Sequence, residues 1–156
     1  MAMVACNSSG STTTRGVTAS DAIVAIVAWQ TSEMPPRSDA SGETQLPVIF
    51  VVADDGATLD VGVQADVARA TVDMATVRFA DDIDDTFDPD VVDEPVRDEG
   101  VLLLVGPVPD PSRTITVAVE RYQAIDDRQA LQLEIVATAG ADAAGPRARV
   151  TSATPL

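Results

Sequence analysis

Residues 81–99 read DDIDDTFDPDVVDEPVRDE, and ten of these nineteen positions are acidic. Crowded carboxylates repel one another, and a hard cation would relieve the repulsion. Calcium suits such a place because it takes roughly 6–8 oxygen ligands. Asp82, Asp84 and Asp88 are the nearest candidate ligands, and weak ones. Counted from Asp82, the alternation of an EF-hand loop fails at Thr86, Phe87 stands where glycine belongs, and Asp93 replaces the closing glutamate. The plainer expectation is a solvated acidic loop in which Ile83 and Phe87 pin one turn against the core. Paired carboxylates can also do acid–base work on glycosides. A chain with 25 acidic residues always offers some such pair, so the pattern has almost no specificity.

Other chemistries are excluded by residue type. There is no histidine, which removes the usual general base and the commonest metal ligand near neutral pH. Serine or cysteine triads built on histidine cannot form. The single cysteine allows no internal disulfide and no cysteine-rich zinc or iron–sulfur site. Neither a dinucleotide-binding glycine motif nor a phosphate-binding P-loop occurs. The expectation is a non-enzymatic chain with no cofactor.

The ten basic residues are all arginine, and the net charge is −15. That balance argues against nucleic acid, whose binding depends on neutralising phosphates. It also repels the chain from an anionic bilayer surface. Arg78 and Arg121, the latter beside Tyr122, fall in strand-like stretches and could hold an anionic ligand. The plainer role for them is pairing with the surplus aspartates. Trp29 and Tyr122 are the only amphipathic rings, too few for a sugar platform, and Trp29 fits a core position beside Met34.

The stretch Met3-Val4-Ala5-Cys6 resembles the lipobox of bacterial lipoproteins. Ala5 meets that family's need for a small residue before the cysteine, Val4 fits the place before it, and Met3 stands where leucine is preferred. The resemblance covers residues 3–14 and implies that Cys6 is acylated and becomes the first residue of the mature chain. It further implies a cell-envelope location, outside the cytoplasm, with the lipid on Cys6 as the membrane partner. Asn7 to Thr14 has no apolar side chain to bury and reads as a flexible spacer. A secretory signal needs a charged start and about 7–15 apolar residues. Only five residues precede Cys6 here, so the resemblance implies further in-frame coding sequence upstream. The stretch from Val48 to Tyr122 also resembles uncharacterised secreted proteins of high-GC bacteria such as actinobacteria, a likeness that assigns no residue a role.

The elements that must position these residues follow from periodicity. At 156 residues, one domain over 17–156 behind a linker over 1–16 is expected. Thr18-Ala19-Ser20-Asp21 has the spacing of a helix start, and Ala22 to Trp29 continues as a largely buried helix. That run is far shorter than the about 20 residues a membrane span requires. Pro35 and Pro36 end the helix, and residues 35–46 read as a loop. Val48 to Val52 is a strand. Asp55-Gly56 offers a turn, and the alternation of Leu59, Val61 and Val63 suggests a short paired strand. Val63, Val67, Ala70 and Met74 then recur at helical spacing, which predicts a helix over 63–73. Thr76 to Ala80 is a further strand. A strand–helix–strand order implies parallel pairing through a right-handed crossover. Four strands follow near 100–108, 114–122, 131–135 and 148–153, joined by short turns as an antiparallel meander. The fold class is therefore α+β: a mixed sheet with two helices packed on one face.

Three functions are compatible with this reading. The first is a lipid-anchored accessory or protein-interaction domain of the envelope. The second is a small-ligand or calcium-binding module using residues 81–99. The third, weakest, is a carboxylate-dependent hydrolase.

Overall fold

The computed structural model describes residues 15–54, 58–138 and 146–156. Thr18 starts the first helix, α1 (Ala19–Glu33), by a reciprocal cap. Its hydroxyl accepts from the Asp21 N–H at 3.2 Å, and its own N–H donates to the Asp21 carboxylate at 3.1 Å. Two orphan donors of the first turn are thereby satisfied. Thr18→Ala is expected to cost about 1 kcal/mol and Thr18→Ser much less; urea denaturation of the two variants checks this.

Just before the cap, Val17 is buried and its N–H donates to the Ser112 carbonyl at 2.8 Å. Gly16 lies so close to the same turn that a Cβ would sit 2.9 Å from backbone atoms of Pro111 and Ser112. Those backbone atoms have little room to yield. Gly16→Ala is expected to destabilise by about 1–3 kcal/mol, as overpacking does, read as a lowered melting temperature.

The proline-bearing stretch after α1 is more ordered than a loop. Arg37–Ser38 (β1) and Thr44–Gln45 (β2) pair antiparallel. Asp39 closes the connection by accepting from the Ser41 hydroxyl at 2.6 Å and from the N–H groups of Ser41 and Glu43 at 2.8 and 2.9 Å. These bonds, the Ser41 hydroxyl foremost, hold its pKa below the ordinary 3.8. Short polar ladders of this kind lack the apolar alternation by which strands are recognised.

Val48–Ala53 (β3) leads to α2 (Val61–Thr71) and on to Thr76–Phe79 (β4). The Asp55-Gly56 turn expected from the sequence lies outside the described residues. No strand forms at Leu59 to Val63. Asp60 instead caps α2, its carboxylate accepting from the Gly62 and Val63 N–H groups at 2.8 and 3.3 Å. That cap outweighs three alternating residues, and Val61 is left 77% exposed on the first turn. Val67 and Thr71 are the buried face of α2.

The main sheet has the order β4-β3-β5-β6-β7-β8, with β5 at Val101–Val105, β6 at Thr114–Ala124, β7 at Asp127–Ala137 and β8 at Ala148–Pro155. β3 runs parallel to both β4 and β5, and the strands from β5 to β8 form the expected antiparallel meander. The α+β class, the mixed sheet and the strand–helix–strand unit are all present. One sheet face is covered by both helices. Ile49, Val51, Leu103, Val117, Leu133 and Ile135 meet α1 there in a single apolar core. Trp29 and Met34, both partly buried, pack against its margin.

The other face carries a second, smaller core that the sequence did not reveal. Phe50, Val52, Leu102 and Tyr122 alternate with the first set and are buried beneath Phe87 and Val96 of the acidic segment. Topology explains the placement. The step from β3 to β4 moves outward across the sheet, and the step from β4 to β5 moves back past β3. Right-handed crossovers in opposite directions must lie on opposite faces. With α2 on one face, residues 80–100 are carried over the other.

Candidate functional site

The acidic segment is a cap, built with its apolar side inward. Phe87 is 5% exposed and meets Tyr122 edge-to-face, centroids 6.3 Å apart and ring planes at 78°. Phe87 and Val96 form an isolated bridge, and the Val96 N–H donates to the Gln123 carbonyl at 2.9 Å. Arg97 Nε donates to the Phe87 carbonyl at 2.8 Å. Arg78 pairs with Asp98 and lies 5.5 Å from the Phe50 ring centre. Arg37 pairs with the Glu99 carboxylate and donates from Nη1 to its carbonyl at 2.9 Å. The chain turns tightly to do this, with Asp93, Glu94, Asp98 and Glu99 all at positive φ. Each such residue costs roughly 1 kcal/mol, which the buried Phe87 and Val96 offset.

Nine of the segment's ten carboxylates are exposed, and Asp88 is half-buried. Asp82 accepts from the Asp84 N–H at 3.0 Å and Asp88 from the Asp90 N–H at 3.2 Å, so both cap local turns. Asp84 begins a short 3-10 turn. Among the described residues no three His, Cys, Asp or Glu side chains are gathered to hold a metal ion, and Asp82, Asp84 and Asp88 are not brought together. Cys6 and the residues around it lie outside the described residues. The buried polar side chains described are Gln30, Thr71 and Thr86, with no carboxylate among them. Arg78 takes the plainer of its two expected roles, as a partner of aspartate.

Tyr122 is an ionisable group held at the seam between cap and sheet. Its hydroxyl donates to Glu120 at 2.6 Å. Burial, then the Glu120 carboxylate, pushes its pKa above the ordinary 10.0, with Arg128 opposing. A phenol raised in the folded state contributes stability that is present below the unfolded value and lost as pH rises through the folded one. As Tyr122 is the only tyrosine, its phenolate absorbance reads this group alone. The midpoint is expected above 10.0 and is expected to fall in Glu120→Gln. A midpoint at or below the ordinary value would contradict the buried hydrogen bond.

On the helical face, a cleft of about 540 Å³ opens between the start of α1, α2 and the approach to β8. Arg15, Arg69 and Arg147 line it, with Asp21 and Asp66. The two acids are committed: Asp21 to the Thr18 cap and Asp66 to Arg69 at 3.0 Å. No linear spacing links positions 15, 69 and 147, so sequence reasoning had no signal for their convergence. None of the described helices is long and apolar enough to cross a membrane. Compared with family models, with curated proteins and with solved structures, the chain finds no match in any of the three.

Proposed function

We propose that this chain is a non-enzymatic accessory domain of the cell envelope, anchored by a lipid on Cys6 and acting through binding. The observation that carries the reading is Met3-Val4-Ala5-Cys6 followed by a serine-, threonine- and glycine-rich run to Thr14. The structure supplies a compatible point of attachment. Gly16 and Val17 are pinned to the Pro111-Ser112 turn, so a pull on the amino-terminal side is resisted by the core rather than by a fraying helix. With a net charge of −15, bare electrostatics would drive the domain away from an anionic bilayer. A covalent lipid supplies the missing attraction, each buried CH₂ contributing about 0.8 kcal/mol.

The acidic cap supports a role in binding. It presents a fixed carboxylate surface, with Val91 and Val92 exposed at its turn. Such a surface suits a basic protein partner, attracted at long range and seated on the valines. Fractionation of the source cells tests the anchor. The wild-type protein is expected in the membrane fraction and in the detergent phase on partitioning, and Cys6→Ser in the soluble fraction. Wild-type protein recovered as freely soluble would overturn the proposal.

A further inference from the structure

We infer that the cleft between α1, α2 and β8 is a binding site for a small organic molecule carrying a phosphate-type oxyanion. Acids outnumber arginines by 25 to 10, so positive charge is scarce on this chain. Arg37, Arg69 and Arg78 form ion pairs. Like Arg113 and Arg149 elsewhere, Arg15 and Arg147 form none among the described residues. Arg15 and Arg147 converge with Arg69 on one cleft, from three separate parts of the chain.

Guanidinium groups offer planar, paired N–H donors that match phosphate oxygens. Asp66 is paired with Arg69, and Asp21, bonded to the neutral Thr18 hydroxyl, keeps its charge, so the three guanidiniums exceed the two lining carboxylates by one. The amino terminus of α1 adds little here, since its capping box has closed the first turn. The anion specificity therefore rests on the arginines.

The rest of the lining sets the ligand class. Val24, Ala70 and Met74 form an apolar flank, and the Ser20 hydroxyl lies beside it. A volume near 540 Å³ falls within the roughly 300–1,000 Å³ of small-molecule sites and exceeds what a bare ion fills. The fitting ligand has an oxyanion at one end and an apolar body at the other. This site does not depend on the lipid anchor, and its test leaves that proposal untouched.

Thermal melting of the full chain with phenyl phosphate, at near-physiological salt, tests the inference. The melting temperature is expected to rise saturably, with half the effect in the millimolar range or below. Arg147→Ala and Arg15→Ala are each expected to raise the half-saturating concentration about tenfold, the loss of one charge-assisted contact. Arg149→Ala, two residues on and outside the cleft, is expected to leave it unchanged. Phenyl phosphate should bind more tightly than inorganic phosphate because of the apolar flank. The absence of a saturable shift would overturn the site. Equal weakening by Arg149→Ala would reduce it to diffuse charge attraction and overturn it likewise. Equal affinity for the two phosphates would overturn the organic ligand class. Arg69→Ala serves as the further variant if Arg15→Ala or Arg147→Ala does not fold.

Discussion

Phe87→Ala is expected to destabilise the protein by about 3–5 kcal/mol, the usual cost of truncating a buried phenylalanine. Phe87 is buried between the acidic segment and the second face of the sheet. Its removal leaves a cavity over Phe50, Leu102 and Tyr122 and deletes the edge-to-face contact. It also loosens the cover of that face, so an apolar dye should bind the variant before global unfolding. Trp29 lies against the opposite core, so its fluorescence reports the global transition rather than the local loosening. Urea titration read by Trp29 should show a lower midpoint. An unchanged midpoint, with no dye binding, would mean the cap contributes nothing to the fold. The surface ion pairs Arg78–Asp98 and Arg37–Glu99 are expected to contribute far less, about 0–1 kcal/mol each.

The second large effect has the opposite sign. Gln30 is fully buried in α1, and among the described residues neither its amide nitrogen nor its amide oxygen has a hydrogen-bond partner. Leaving such a group unsatisfied costs roughly 1–3 kcal/mol. Methionine has nearly the same length and volume and no hydrogen-bonding requirement. Gln30→Met is therefore expected to stabilise by about 1–3 kcal/mol. The control is Val27→Ala, at another fully buried position on the same helix, which should destabilise. A less stable Gln30→Met protein would show that the amide is satisfied in solution and contributes to packing specificity.

Where the sequence was legible, a short-range cause was at work. Thr18 and Asp21 announce the start of α1 because a capping box is completed within four residues. Ile115, Val117 and Val119 announce β6, and Leu131, Leu133 and Ile135 announce β7, because each strand has one wet face and alternates accordingly. The run from Val101 to Val105 announces β5 because a strand covered on both faces is apolar throughout. Errors came where two local signals competed. At Leu59 to Val63 the alternation pointed to a strand, whereas the Asp60 cap decided for helix.

The features missed were long-range ones. Residues 81–99 look like a solvated loop because carboxylates dominate their composition, yet Phe87 and Val96 turn the segment into a lid on a second core. The sequence did single out Phe87 as a pin; what it could not show was the face it pins. That follows from the direction of two crossovers, which only strand order reveals. The arginine cleft was equally invisible. Arg15 precedes α1, Arg69 lies in α2 and Arg147 precedes β8, and packing of α1 on α2 and β8 brings them together. Gln30 was hidden for a different reason: a polar residue after an apolar run reads as the exposed side of a helix, although α1 is covered there too.

Mass spectrometry of the amino-terminal peptide from protein purified out of its source cells tests the anchor most directly. The lipoprotein account predicts a mature chain that begins at Cys6, with a diacylglyceryl group in thioether linkage to its sulfur. A peptide that still carries Ala5 ahead of an unmodified Cys6 thiol would contradict it.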